Sequence, residues 1–330
     1  MGNSLSVQGK KGKGSQKGVV VTSPKGGKAE KDTSLEHGDV YKECDSEGLP
    51  ENLRTDQDVL EGEAQTAQSP GYACSSVQGM RNGMEDQHVA ARPLIDNHQG
   101  KHDVHLFGVF DGHGGTRCAQ FLKQSLATAV KQSIAGSSDS VEEALRRAFL
   151  DVDNQFCQDE AGGDAREEGS TAVVVVIVGD TLYCANTGDS RAVLCRADME
   201  TKALSHDHKP NRPDEKQRIE QLGGCVLYNR VMGRLGVSRA FGDKSLKQYV
   251  TAEPEVVSVE LTAGDEILIL ACDGLWDVAD MDTAGGLART HSKSKGLKAA
   301  AQALTTYAVR NGSNDNVTAM VVGLSGWTRK

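Results

Sequence analysis

The chain has 330 residues, of which 38% are hydrophobic and 25% charged, and its formal net charge at pH 7 is −9. These values are typical of a globular protein with a sizeable core, in one large domain or two ordinary ones. The negative charge excludes nucleic acid as the main partner, because such binding depends on neutralising phosphates with lysine and arginine.

The apolar runs and the cysteines indicate which kind of globular protein this is. The longest apolar runs, such as 172–178, are too short to span a bilayer, and the start of the sequence lacks the apolar segment of a secretory signal peptide. The eight cysteines are scattered and form no Cys-x-x-Cys pair. We therefore expect reduced, mostly buried thiols in a cytoplasmic protein.

Residues 1–70 differ from the rest in composition. Seven lysines lie among glycines and serines in residues 1–31, and acidic residues dominate from Asp32 to Glu63. A tract with almost no apolar periodicity cannot bury enough surface to offset the entropy lost on ordering. We expect a disordered, charge-polarised arm over residues 1–70 and a folded domain over residues 71–330.

The arm begins with a pattern typical of N-myristoylation, in which Gly2 follows Met1 and Ser6 lies four residues later. Because both residues are common, coincidence is the alternative interpretation. One myristoyl chain binds membranes only marginally and needs a second signal such as a polybasic cluster. The lysines of residues 1–31 would supply it, so we expect peripheral attachment to an anionic, cytoplasmic leaflet.

From residue 71 onward, periodic patterns predict strands and helices in turn. Apolar runs predict strands over residues 104–110, 172–178, 181–185, 192–195, 256–261, 266–272 and 317–322. Helices are predicted after Gly115, after the capping box of Ser140 and Glu143, over 214–222 and over 295–309. The strands follow one another as hairpins, which favours an antiparallel α+β fold over a doubly wound sheet.

Acidic residues stand at the ends of several of these strands. Asp111 and Asp273 each follow an apolar run, Asp189 lies in a turn between two strands, and Asp315 directly precedes the last strand. Glu85 and Asp86 lie near the start of the domain. Each alone also fits an ordinary turn or helix cap.

Together these acids indicate a cation site. Aspartates crowded at one sheet edge would repel one another unless cations held them together. Carboxylates with a backbone carbonyl, and no cysteine–histidine set, select Mg²⁺ or Mn²⁺ over zinc. Ser205-His206-Asp207-His208 resembles a second ligand cluster, but lacks further ligands at a suitable spacing.

The ordered motifs of the chain resemble the metal-dependent serine/threonine protein phosphatases of the PPM, or type 2C, family. Eight motifs carry the resemblance: Arg81-x-x-Met84-Glu85-Asp86, Phe110-Asp111-Gly112-His113-Gly114-Gly115, Gly169-Ser170-Thr171-Ala172, Gly188-Asp189-Ser190-Arg191, Asp207-His208-Lys209-Pro210, Leu235-Gly236-Val237-Ser238-Arg239-Ala240-Phe241-Gly242-Asp243, Cys272-Asp273-Gly274-Leu275-Trp276-Asp277-Val278 and Asp315-Asn316. They span about residues 75–323, which is essentially the whole predicted domain.

The resemblance implies a fold, an activity and a set of roles. The fold would be a central sandwich of two antiparallel β-sheets flanked by helices on both sides. Asp111 would bridge two metal ions, with the Gly112 carbonyl on one of them, and Asp273 and Asp315 would complete the ligands bound directly to metal. Glu85 and Asp86 would hold waters, and Asp189 with Asp273 would hold a possible third, weaker ion. Arg81 would bind phosphate, and His113 would be the general acid.

Elementary chemistry is consistent with the implied roles. Two cations sharing a carboxylate make hydroxide available near neutral pH, and hydroxide can attack phosphorus without a covalent enzyme intermediate. A guanidinium fork matches phosphoryl oxygens, and a serine alkoxide needs a proton to leave. Asp277 would either orient a neighbouring ligand or cap a helix.

Three functions are compatible with these motifs. The leading hypothesis is a Mg²⁺- or Mn²⁺-dependent phosphatase acting on phosphoproteins as a monomer. The alternatives are a catalytically silent scaffold of the same fold and a metal-sensing binding module. Every matched acid is present, which favours the enzyme.

Two segments depart from the family pattern. The stretch between Pro210 and Arg230, which corresponds to the variable flap near the substrate, is compact, and residues 279–282 do not follow the usual polar pattern. Neither segment contains a predicted metal ligand, so they bear on substrate preference and not on activity.

Overall fold

Two antiparallel sheets pack face to face at the centre of the molecule. The structure is a computed structural model that describes residues 58–62, 70–99, 102–136, 140–158 and 167–325. The strands of the first sheet are β3 (Gln87–His98), β4 (His102–Phe110), β7 (Ala172–Val178), β8 (Thr181–Thr187) and β14 (Glu255–Glu260). Their order in the sheet is β14-β8-β7-β4-β3.

The strands of the second sheet are β1 (Asp58–Gly62), β2 (Tyr72–Val77), β9 (Arg191–Arg196), β10 (Thr201–Ala203), β15 (Asp265–Ala271) and β16 (Val317–Gly323). Their order is β1-β2-β16-β15-β9-β10, with all neighbours antiparallel. The last strand of the described chain therefore lies inside this sheet, between β2 and β15.

Short strands and helices complete the domain. The short strands are β5 (Gly112–His113), β6 (Gly169–Ser170), β11 (Val226–Leu227), β12 (Arg230–Val231) and β13 (Phe241–Gly242). The helices are α1 (Arg117–Gly136), α2 (Val141–Gln158), α3 (Pro213–Gln221), α4 (Asp273–Trp276), α5 (Met281–Lys295) and α6 (Leu297–Arg310), and a 3₁₀ turn covers Lys244–Leu246. No helix of the described ranges is long and apolar enough to cross a bilayer.

Period-two alternation along the strands explains the layers. On β7, Val173, Val175 and Ile177 face the second sheet, whereas Val174 and Val176 face the outer helices α1 and α2. Helices α5 and α6 cover the outer face of the second sheet in the same way. Because β7 is apolar on both faces, it reads as one uninterrupted valine-rich run.

The predicted fold class is confirmed. The sandwich of two antiparallel sheets with helices outside both has the expected α+β architecture. β7 occupies the predicted range 172–178, and the other predicted strands are found within about two residues of their predicted ends. The backbone N–H of Glu143 donates to Ser140 Oγ at 3.3 Å, so Ser140 caps α2 as expected.

One prediction about an element boundary is wrong. Residues 58–62 form strand β1, although the predicted disordered arm extended to residue 70. An edge strand pairs through backbone groups alone, here in register with β2, and so needs no apolar signal. Gly2 and the lysines of residues 1–31 lie outside the described residues.

The helix predicted over 295–309 is found as α6, whereas α5, the helix before it, was not predicted; the two meet at Gly296. Helix α5 contains Gly285 and Gly286, which weaken a helical prediction. A Cβ on Gly285 would lie 2.7 Å from Thr201 Cγ2, so the glycine allows α5 to approach the sheet closely.

Candidate metal centre

The predicted acids meet at one end of the sandwich because each stands where a strand begins or ends. Asp111 follows β4, Asp86 directly precedes β3, and Asp189 lies in the turn from β8 to β9. Asp273 is the first residue of α4, just after β15. Antiparallel strands of both sheets thus deliver their terminal residues to a common edge.

Two groups of side chains in the described residues could each hold a metal ion. One comprises Asp86, Asp111 and Cys272, and the other comprises Asp111, Asp189 and Asp273; in each, the ligand atoms lie within 4.8 Å of one another. Asp111 belongs to both groups. This is the arrangement needed for one carboxylate to be shared by two ions.

The electrostatics of the centre are those of carboxylates held together without enough protein cations. Burial raises the pKa of Asp111 well above its ordinary value, and the charges of Asp86 and Asp273 raise it further. Burial likewise raises the pKa of Asp86 to about 7, and burial with the charge of Asp189 raises that of Asp273 to about 7. Such shifts mean that the charged forms are destabilised until a cation is supplied.

Asp86 provides a direct test of whether a cation fits. Both of its carboxylate oxygens are buried and lack a well-formed hydrogen bond to any described residue, and the nearby Thr318 and Cys272 offset only part of the effect of burial. Buried polar atoms normally have partners, so these oxygens are suited to a ligand. A set consisting mainly of carboxylate oxygens suits a hard divalent cation.

Gly112 is placed against the loop that carries Glu85. A Cβ at Gly112 would lie 2.5 Å from the backbone oxygen of Glu85, so only glycine permits this approach. Glu85 lies outside both ligand groups, but its charge acts on Asp86 and on His113. The loop and the Asp111 turn are thus in direct contact, as the roles of Gly112 and Glu85 require.

Arg81 and Asp315 form an ion pair at the entrance to the centre. Arg81 Nη2 donates to Asp315 Oδ2 at 2.6 Å, and the side chains are 56% and 34% exposed. Asp315 lies outside both ligand groups, although its charge acts on Asp86, Asp111 and Asp273. Arg81 therefore lies beside the acids with much of its guanidinium open to solvent.

Asn316 fixes the position of this entrance, a role that the sequence did not reveal. Its Nδ2 donates to the backbone oxygens of Gln78 and Gly83, at 2.7 and 2.9 Å, and its Oδ1 accepts from the backbone N–H of Glu85 at 2.8 Å. One side chain thereby ties the whole Arg81–Glu85 loop to the start of β16.

His113 faces Asp243 and is not part of either ligand group. Its Nε2 lies 2.8 Å from Asp243 Oδ2, and the Asp243 side chain is only 3% exposed. Burial by itself lowers the pKa of His113, but the hydrogen bond and charge of Asp243 outweigh it, so that pKa lies above its ordinary value. His113 can therefore carry a proton beside the acidic centre.

The cluster at residues 205–208 has internal partners and joins neither ligand group. Arg191 donates to both carboxylate oxygens of Asp207, at 3.0 and 2.9 Å. The backbone N–H of Gly188 donates to Nδ1 of the fully buried His208 at 3.2 Å. Asp277 ends α4, and its carboxyl is exposed near Lys209 and Asp189.

The fold and the acidic centre together are those of a metal-dependent protein phosphatase, and comparison with known proteins agrees. The model of the family described as Protein phosphatase 2C matches residues 71–317. The chain is 44% identical over 258 residues to "Probable protein phosphatase 2C 59" of Arabidopsis thaliana, covering 77% of this chain and 79% of that protein. It is 44% identical over 257 residues to a rice protein of the same name, covering 77% and 75%.

Solved structures show the same likeness. A serine-threonine phosphatase 2C from Toxoplasma gondii superposes with a TM-score of 0.70 at 26% identity, over 81% of this chain and 99% of that one. A C. elegans sex determining protein also gives a TM-score of 0.70 at 26% identity, over 83% of this chain and 67% of that one. The chain belongs to the protein phosphatase 2C family. It is accordingly a protein serine/threonine phosphatase of the metal-dependent class.

Proposed function

We propose that this phosphatase removes phosphate from phosphoserine and phosphothreonine in proteins with two Mg²⁺ or Mn²⁺ ions, and that its arm tethers it to a membrane. The observation that supports the chemistry is the shared carboxylate Asp111, which belongs to both ligand groups of the acidic centre. When bound, two such ions would lower the pKa of a shared water and supply hydroxide near neutral pH.

The chain's own residues would divide the work of holding the ions. Asp111 would contribute to both, and the Gly112 carbonyl, next to the Glu85 backbone, to one of them. Asp273 and Asp315 would complete the ligand set, and Glu85 and Asp86 would hold water. Asp189 would serve a third, weaker ion together with Asp273.

Arg81 and His113 would act on the substrate. The exposed guanidinium of Arg81 can exchange its contact with Asp315 for equatorial phosphoryl oxygens, which it matches bidentately. His113, oriented by Asp243, would hold the proton that the departing serine or threonine oxygen needs. The acids therefore hold the ions, whereas these two side chains hold the phosphate and the proton.

Phosphate release from a phosphoserine peptide tests the activity directly. We expect hydrolysis with Mn²⁺ and none with EDTA, and restored hydrolysis when Mn²⁺ is returned. Full activity in EDTA would exclude the mechanism. No activity with any divalent cation would favour a silent scaffold, and Mn²⁺ binding alone would favour a metal-sensing module.

The proposed tether depends on Gly2 and the lysines of residues 1–31. Myristate on Gly2 and seven lysines would supply the two signals that stable attachment to an anionic leaflet requires. In cell fractionation, the wild type should pellet with membranes, whereas Gly2→Ala should be released with unchanged specific activity. Gly9→Ala, in the same arm, is the matched control. Identical partitioning of wild type and Gly2→Ala would refute the tether.

A further inference from the structure

A protein cation already occupies one side of the acidic centre. Lys209 Nζ lies 2.5 Å from Asp189 Oδ2 and 4.0 Å from Asp273 Oδ2. These two carboxylates form, with Asp111, one of the two groups that could hold a metal ion. No role for Lys209 could be predicted from the sequence, because nothing local in the 207–210 motif connects it to Asp273.

The backbone on either side of Lys209 is held to the turn that carries Asp189. The N–H of His208 donates to the Gly188 oxygen at 2.9 Å, and the N–H of Ser238 donates to the His208 oxygen at 2.8 Å. The bidentate pair of Arg191 with Asp207 closes the same contact from the other side. Since this segment is fixed, the lysine stem begins at a defined point beside the acids.

A lysine side chain is ordinarily protonated near neutral pH, and Lys209 has the carboxylates of Asp189 and Asp273 as its neighbours. An ammonium ion therefore neutralises part of the charge at Asp189 and Asp273. A divalent cation placed between the same oxygens would lie within a few ångströms of that ammonium and be repelled by it.

We propose that Lys209 is an internal counter-ion that holds the Asp189–Asp273 side of the centre in place of a metal ion. The chain would then bind two ions tightly, and a third only when the ammonium is displaced. This inference rests on the proposed function, because it concerns the ions of the same centre. Lys209 is in this view a residue that sets how many ions bind, and not a catalytic residue.

A competing role for Lys209 would be to bind the phosphoryl group of the substrate. That role requires substrate and predicts no change in metal binding when substrate is absent. Measuring Mn²⁺ binding to the full chain without any phosphopeptide therefore separates the two. Equilibrium dialysis at pH 7.5, or electron paramagnetic resonance of free Mn²⁺, gives both the number of ions and their dissociation constants.

The decisive variant is Lys209→Met, which keeps the length of the stem and removes the charge. We expect the wild type to bind two Mn²⁺ ions tightly and a third weakly, and Lys209→Met to bind the third at least about tenfold more tightly, because a like charge about 4 Å away is removed. Lys209→Arg, which retains a cation, should leave the third ion weak. Lys202→Met, an exposed lysine on β10, is the matched control.

Two further measurements complete the test. Asp189→Asn combined with Lys209→Met should abolish the gain, because it removes a ligand of the third ion. Circular dichroism checks folding, and Lys209→Gln replaces Lys209→Met if the latter does not fold. Equal Mn²⁺ number and affinity in wild type and both neutral variants, or three tight ions in the wild type, would overturn the inference.

The proposed function is checked separately by phosphopeptide hydrolysis. An inactive wild type whose Mn²⁺ binding still depends on Lys209 would refute the function and keep this inference. An active wild type whose Mn²⁺ binding does not depend on Lys209 would keep the proposed function and refute this inference.

Discussion

Two sets of carboxylates in this domain have opposite chemistry. In the metal centre, burial and mutual repulsion raise the pKa values of Asp86, Asp111 and Asp273. In a second cluster near α3, the pKa values of Glu215 and Glu255 are lowered. Burial alone would raise the pKa of every one of these groups, so the difference lies in their partners.

The second cluster is supplied with cations by the protein itself. The Glu215 side chain is 1% exposed and accepts from Arg239 Nη2 at 2.7 Å and from Arg218 Nη2 at 2.9 Å. Burial alone would raise its pKa, but these arginines bring it to about 2. His208 and then Arg212 lower the pKa of Glu255. A carboxylate with an internal cation keeps its charge without a bound ion, whereas one without such a partner marks the place for an ion from solution.

Removing a carboxylate from the metal centre should have the largest effect. Asp111→Ala and Asp273→Ala should each lower kcat by about 10²-fold or more, because loss of a preorganised electrostatic group usually costs that much. Asp96 is an exposed acid on β3, and Asp96→Ala, the matched control, should have the kcat of the wild type. A near-normal Asp111→Ala enzyme in a phosphopeptide assay would place the ions elsewhere.

The pair of His113 and Asp243 bears on the comparison of the two sets, because Asp243 is an acid beside the metal centre that has an internal partner. His113→Gln should slow phosphoserine hydrolysis by about 10²-fold or more, because a positioned general acid is typically worth that much. Hydrolysis of p-nitrophenyl phosphate should fall much less, because a phenolate leaves without a proton. Equal losses on both substrates, with a raised Mn²⁺ requirement, would instead make His113 a metal ligand.

In the second cluster, removal of the acid should affect stability without altering ion binding. Glu215→Ala should lower the free energy of unfolding by about 2 kcal/mol, less than for a fully buried pair because the arginines keep one edge in water. Thermal denaturation with and without Mn²⁺ measures this. Glu220→Ala, an exposed acid on the same helix, should change little. Stability as high as that of Glu220→Ala would show that the cluster contributes nothing.

The two sets should also respond oppositely to pH. Without metal, folded Asp86 and Asp273 titrate near pH 7 and their unfolded forms near 3.8, so between these values the folded state binds more protons. Metal-free stability should therefore fall by several kcal/mol as pH rises from 5 to 8, because each shift is worth about 1.4 kcal/mol per pKa unit. Saturating Mn²⁺ should remove this loss.

Glu215 should make stability rise with pH, in contrast to the acids of the metal centre. Its stabilising contribution is fully present above its unfolded pKa of 4.5 and is lost as pH falls toward its folded pKa of about 2. Glu215→Ala should therefore flatten the acid limb of the stability profile, measured in urea with Mn²⁺ absent, and leave the slope between pH 5 and 8 intact. A changed slope in the upper window would mean that the two clusters are coupled.

Much of the fold could be predicted because the strands carry their own signal. β7 is apolar on both faces and β15 is bounded by polar turns, so local pattern defines both. β3 could not be predicted because most of its residues are only partly buried and it contains Pro93. Proline has no backbone N–H to donate to a neighbouring strand, so it argues against a strand in a sequence. Helix α5 was missed because its glycines serve a contact with another element.

The acids of the centre could be predicted for a similar reason, since each stands in a turn beside a recognisable strand. The side chains that pair with these acids could not be predicted from the sequence. Asp243 is separated from His113 by 130 residues, and Lys209 reaches Asp273 only through the packing of the 205–209 segment on the Gly188 turn. Charge pairing across the fold depends on tertiary placement, which residue spacing does not encode.

The insertion of β16 between β2 and β15 has a consequence for biosynthesis. Asp315 and Asn316, at the start of β16, contact Arg81 and Glu85 across more than 230 positions of sequence. Such distant pairing is slow to form, and during translation the first loop of the centre must wait for the last strand. A nascent chain would therefore carry no complete ion site until β16 has left the ribosome, which would keep an unfinished phosphatase inactive.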